Sequence, residues 1–255
     1  MVRIFMSLLN QIPTELLDDK ANIGPILLKL RFLADRLDVP VLEDWVKHEI
    51  EGYPTAVDLP DYRITPVSYT GTFQSSFQIL REVPIPSFLI EQFAGPTWNT
   101  HDIRSSISVV ESMIANQAGG ISYQTNAADL ILLIQGNIYK GSSCISISGH
   151  IEPSAFINVQ SSVRSKALDL TLGIEKAAPS ATAIALGQRQ AIVGPNESER
   201  MREAVQFVIN GTFNQVNNSG TSGQISVQST QGNSHSLIEG LTKAGWSDGE
   251  ARELS

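Results

Sequence analysis

The side chains able to do chemistry are few and scattered along the chain. Cys144 is the lone cysteine of 255 residues, and His101 and His150 are the bases that a thiolate would need beside it. A Cys between Ile145 and Ile147, however, reads first as packed core. His150-Ile-Glu152 matches a fragment of a zinc-deaminase signature, yet no Pro-Cys-x-x-Cys follows to complete a metal site. His48 and Glu49 lack the second His, four residues on, that a zincin helix requires. Lys140 precedes Gly141, whereas a phosphate loop needs its Lys directly after the second Gly, so residues 136–143 read as a turn. Neither Gly-x-Ser-x-Gly nor Gly-x-Gly-x-x-Gly occurs. Glu43-Asp44 and Asp58/Asp61 find no second partner and read as helix-surface and loop charges. No catalytic residue, metal ligand or cofactor is assigned from these motifs.

The elements that must position these residues follow from periodicity. Residues 24–51 predict two helices. Gly24-Pro25 opens the first, and Ile26, Leu30, Leu33 and Leu37 recur at helical spacing. Asp38-Val39-Pro40 breaks it. Leu42, Trp45, Val46, Glu49 and Ile50 continue on the second, which Gly52 terminates in a left-handed conformation. Before them, the N-terminus reads as a helix feeding Leu16 and Leu17 into the core. From Tyr62 the period becomes two: Val67, Tyr69, Gly71 and Phe73 alternate with polar residues, and 77–80 return as a hairpin arm closed by Pro84 and Pro86. Residues 87–93 predict a short helix. Ile103, Ile107, Val110 and Ile114 predict another, ended by Gly119-Gly120, and Asn126 is placed to cap a helix through Ile134. Residues 144–148 read as a strand. Pro153 then opens a long helix in which Phe156, Val159, Val163, Ala167, Leu170 and Ile174 step by three or four until Pro179 stops it. Helices around a small, mostly antiparallel sheet make the expected fold class α+β, predominantly helical, followed by a polar segment.

Composition narrows the partners. The net charge is −8, from 18 Lys and Arg against 26 Asp and Glu. Such a surface repels phosphate backbones and anionic lipid, so no long nucleic acid is expected. The longest apolar block, 130–134, is five residues, far short of the ~18 needed to span a membrane. Asn10 and Pro13 interrupt the N-terminus before a signal-length apolar run forms. A cytoplasmic protein is the resulting expectation.

Two features stand above background. The first is Asp44-Trp45-Val46 … Glu49-Ile-Glu-Gly52-Tyr53-Pro54 … Leu59-Pro60-Asp61-Tyr62-Arg63. Trp45, Tyr53, Tyr62 and Arg63 make a candidate recognition surface, because aromatic rings and Arg dominate binding hot spots. The competing reading is a helix stop whose rings seal helix against sheet, with Arg63 paired to a nearby carboxylate. The second feature is a neutral tract. Residues 204–238 contain no Asp, Glu, Lys or Arg, and 22 of the 27 residues in 210–236 are Asn, Gln, Ser, Thr or Gly. Phe213, Val216, Ile225 and Val227 are spaced through it. Asn and Gln ladders stack across chains when no charge repels them, so the tract reads as a β-solenoid-like assembly element or as a linker.

The stretches 27–37, 43–54 and 59–63, with Val83-Pro-Ile-Pro86, Ile151-Glu-Pro153 and Val163-Arg-Ser-Lys-Ala-Leu168, resemble the AbiTii family of bacterial conflict systems over roughly residues 8–180. The Trp … Glu … Gly-Tyr-Pro … Leu-Pro-x-Tyr-Arg string carries most of that likeness. The resemblance implies an abortive-infection role in antiphage defence and brings no catalytic residues with it. The expected organisation is an α+β domain over 1–180, a linker with a short helix over 181–205, the neutral tract over 206–236 and an amphipathic helical segment over 237–255. The expected function is non-enzymatic interaction or sensing, with the chain itself or another defence protein as partner. Two other readings stay open. One is a hydrolase or nuclease toxin built from His101, Cys144, His150 and Arg63; the other is a small-nucleotide sensor using Arg63, Arg81 or Arg104.

Overall fold

A computed structural model of the chain describes residues 7–116, 123–185 and 193–210. Its elements run α1 (Leu8–Leu16), α2 (Ile23–Leu37), α3 (Pro40–Glu51), β1 (Ile64–Pro66), β2 (Ser68–Gln74), β3 (Ile79–Ile85), α4 (Ser87–Ala94), β4 (Thr100–Asp102), α5 (Ile107–Ala115), β5 (Tyr123–Asn126), α6 (Ala128–Ile134), β6 (Ser143–Ile151), α7 (Pro153–Ala177) and α8 (Pro195–Asn210). The strand pairs are all antiparallel. The chain has the α+β class that its periodicity predicts.

The described chain divides into two compact units, with boundaries inside α2, α3 and α7. The first is helical and draws on α1, most of α2 and α3, the later part of α7, and α8. Its apolar residues fall where the helical period puts them: Ile26, Leu30, Leu33, Leu37, Leu42, Ala167, Leu170 and Ile174 are buried. Leu16 joins this core, but Leu17 does not; α1 stops at Leu16, and Leu17 turns out to solvent. Lys29 pairs with Glu15 across α1 and α2. Of the stretch expected to be linker, residues 181–185 are packed, while 186–192 lie outside the described residues. Residues Pro179–Ala183 form a 3-10 turn, Ala181, Ile184 and Ala185 are buried, and the Ile184 carbonyl accepts from the Leu8 amide at 3.0 Å. The short helix expected over 197–207 begins earlier and ends later, at Pro195 and Asn210.

The second unit holds both sheets. β1 and β4 form a two-stranded ribbon, and the larger sheet has the order β3-β2-β6-β5. Along β2, Tyr69, Gly71 and Phe73 are buried while Ser68 and Gln74 face out, the alternation of a half-buried strand. Pro84, expected to end the hairpin arm, lies within β3 opposite Thr70. A residue without an N–H is tolerated there because β3 is an edge strand of this sheet. Ile103 precedes α5 rather than lying on it, although it is buried. Asn126 ends β5, and Ala127 takes the position before α6 with no side-chain cap. The helix stop assigned to Gly119-Gly120 lies outside the described residues, as do Phe213, Val216, Ile225 and Val227.

Candidate functional site

The Trp–Tyr–Arg string is organised by the end of α3. Glu49 lies in its last turn, and Gly52, at φ +92°, reverses the chain. A side chain at Gly52 would bring its Cβ to 2.8 Å from the Arg104 carbonyl oxygen. That same oxygen accepts from the Tyr53 amide at 2.9 Å. The close approach and the left-handed backbone both demand glycine. Four residues after Glu49, Tyr53 returns its hydroxyl to Glu49 Oε1 at 2.7 Å, and Tyr62 donates to the same oxygen at 2.7 Å. The turn Asp61–Arg63 then delivers the Arg63 guanidinium: Nε donates to Glu49 Oε1 at 3.3 Å and Nη2 to Glu49 Oε2. Its Nη1 donates to the carbonyls of Ile103, at 2.8 Å, and Ser105, at 2.7 Å. The guanidinium lies 4.9 Å from the centre of the Tyr53 ring, whose other neighbour is the stacked His48 imidazole at 5.1 Å.

Glu49 and Arg63 are both 0% exposed. Taking two ions out of water is costly, and it is offset here because both carboxylate oxygens and each nitrogen of the guanidinium have partners. Burial by itself lowers the Arg63 pKa; the hydrogen bond and charge of Glu49 outweigh it, so the net shift is upward. Burial, reinforced by the Glu49 charge, pushes the Tyr53 phenol far up. Tyr53 is therefore a neutral donor across the physiological range. Both shifts keep Arg63 charged and Tyr53 protonated, which suits a structural tie.

The candidate recognition surface is consequently internal. Trp45, Tyr53 and Arg63 are buried and Tyr62 is half-buried. For Tyr53, Tyr62 and Arg63 the physical reason is that Arg63 needs a carboxylate and two backbone carbonyls at once, with the Tyr53 ring against its guanidinium and both tyrosines bonded to the same carboxylate. Glu49 is the residue that the surface reading passed over. Its signal was present in sequence, as a carboxylate on the apolar face of a helix four residues before a Tyr.

The remaining chemistry-bearing residues do not converge. Cys144 and His150 share β6 at a separation of six residues, roughly 20 Å at ~3.4 Å per residue. His101 is on β4, opposite Thr65 of β1, in the other sheet. Burial raises the Cys144 thiol, which is buried and keeps its proton. Burial also lowers the His101 pKa, against a smaller opposing pull from Asp102. Nor do the three arginines form an anion pocket. Arg63 is spent as described, and Arg104 pairs with Asp102 at 2.8 Å while donating to the carbonyls of Pro54 and Val57. Arg81 stands on the exposed edge strand β3. Among the described residues, no group of three or more His, Cys, Asp or Glu side chains could hold a metal, and no helix is long and apolar enough to cross a membrane.

The fold and site define an α+β domain in which the aromatic–arginine motif is a sealed ion-pair tie. The model of the AbiTii family matches residues 7–191, well over half of the chain, and the chain belongs to that family. This membership points to an abortive-infection role in defence. No curated protein and no solved structure matches the chain.

Proposed function

We propose that this chain is a non-enzymatic module of abortive-infection defence, acting in the cytoplasm by protein interaction or sensing and self-associating through the neutral tract. The observation that carries the reading is the fate of the reactive side chains. Arg63 and Glu49 are consumed by each other, Cys144 is a buried thiol, and His101 and His150 stand on different sheets. Support for self-association comes from the charge-free tract, with Phe213, Val216, Ile225 and Val227 set in an Asn/Gln/Ser/Gly field. The partner is a second copy of this chain, another defence protein, or both.

Light scattering after size exclusion tests the assembly step on the full chain and on its Val216→Asp/Ile225→Asp variant. The expected result is a mass above monomer for the first and a shift toward monomer for the second. Identical monomer masses at all concentrations would remove self-association from the reading.

A further inference from the structure

The outer face of the larger sheet is where polar groups remain open to solvent. Thr70 stands opposite Ser148, and Thr72 opposite Ser146, in the β2–β6 register. Directly opposed residues on one face bring their Cβ atoms within ~5.5 Å, so these hydroxyls form a continuous floor. His150 closes one end and is held there by a 2.9 Å hydrogen bond between its Nε2 and Thr70 Oγ1. Glu82 of β3 lines the groove from the other flank, and the groove holds about 260 Å³.

Two irregularities shape this face. Between Thr72 and Phe73 the β6 partner jumps from Ser146 to Cys144, which leaves Ile145 as an extra residue. The bulge reverses the alternation, so Cys144 is buried opposite Phe73 while Ser146 and Ser148 line the outer groove. Between Gly71 and Phe73 the β3 partner jumps from Val83 to Leu80, and within that bulge Glu82 adopts φ 52°. A left-handed conformation costs a residue with a Cβ ~1 kcal/mol or more. Bulges bend the strand that carries them and re-aim its side chains. Here both strands flanking β2 are bulged, and the groove lies on the face between them.

The charge pattern selects the ligand. No Asp, Glu, Lys or Arg occurs in residues 64–80 or 141–151. Among the described residues, Glu82 is thus the one Asp, Glu, Lys or Arg side chain lining the groove. A phosphate or carboxylate finds no Lys or Arg in this lining of described residues, and an ammonium group finds a carboxylate. Ser and Thr hydroxyls both donate and accept, as the hydroxyls of a polyol do. We infer that this groove is a binding site for a small amine-bearing polyol of the amino-sugar class, with Glu82 taking the ammonium and the Thr70–Ser148–His150 end taking hydroxyls. This names a ligand class for the sensing part of the proposed function; self-association through the neutral tract stands or falls separately.

Calorimetric titration of the full chain with glucosamine, glucose and ATP tests the site, alongside Glu82→Gln and Ser148→Ala variants. These exposed or half-exposed positions are expected to leave the melting midpoint unchanged. Glucosamine is expected to bind in the millimolar range or tighter and glucose about tenfold more weakly, the worth of one hydrogen bond to a charged group. Glu82→Gln should bring glucosamine down to the glucose level, and Ser148→Ala should weaken both sugars. Absence of glucosamine binding, an unchanged affinity in Glu82→Gln, or ATP binding that these substitutions abolish would overturn the assignment. Light scattering on the same samples reports self-association independently of the groove.

Discussion

The ion-pair cluster at the end of α3 and the outer face of the β3-β2-β6-β5 sheet are both rich in polar side chains, and they use them in opposite ways. In the cluster, Glu49 accepts from two tyrosines and an arginine, and Arg63 closes on two backbone carbonyls, with both charges fully buried. On the sheet face, hydroxyls, an imidazole and a carboxylate line an open groove and are half-exposed or exposed. What separates a structural tie from a site is therefore saturation. Residue type alone left the aromatic–arginine string open to both uses, a recognition surface or a helix stop with Arg63 paired to a carboxylate.

The contrast can be broken most forcefully at Arg63. Arg63→Met leaves the Glu49 carboxylate buried without its cation, and urea unfolding should show a loss of about 3–5 kcal/mol. Removing both charges, as Glu49→Leu/Arg63→Met, should cost less than the single change, because no uncompensated ion remains inside. A double variant as unstable as the single one would mean that the charges are not coupled. Next in size is Gly52→Ala, which meets both the left-handed backbone and the Arg104 carbonyl. A loss of about 2 kcal/mol is expected in the same unfolding experiment, and an unchanged midpoint would show that α3 ends in another way.

The sheet face should respond weakly. Thr70→Val removes the His150 contact from a half-exposed strand position, for about 1 kcal/mol or less. A loss approaching that of Arg63→Met would make this face structural and erase the contrast. The smallest effect belongs to His101, whose folded pKa is depressed by burial. The unfolded chain then takes up the proton first, so the His101 contribution is present above the unfolded value of 6.5 and lost as pH falls through the folded one. A His101→Gln variant should show a shallower loss of stability below pH 6.5 than the parent; equal slopes would assign that loss to other groups.

Much of the helical framework was legible from periodicity. The stripes Ile26–Leu30–Leu33–Leu37 and Phe156–Val159–Val163–Ala167–Leu170–Ile174 are buried throughout, because apolar residues at helical spacing have few other stable uses. The left-handed stop at Gly52 was legible for the same local reason. The four members of the cluster were also visible, and one of the two readings of the string pairs Arg63 with a nearby carboxylate; choosing between the readings depends on the Ile103 and Ser105 carbonyls, some forty residues along the chain. The sheet groove left no local signal. It arises from two register jumps, at Ile145 and near Glu82, and alternation read from sequence cannot see an inserted residue until the partner strand is known. The packed turn after Pro179 escaped because short Ala-rich segments carry no period, although Ala181 and Ala185 are small enough to be buried there.

If Glu49 and Arg63 serve only to tie the end of α3 into the fold, defence survives their joint replacement. Phage challenge of bacteria expressing the Glu49→Leu/Arg63→Met chain, at a temperature where that variant still melts cooperatively, tests it most directly. Protection equal to that of the unaltered chain is the predicted result. Protection abolished in a folded, soluble double variant would contradict the account and place the pair in an active site.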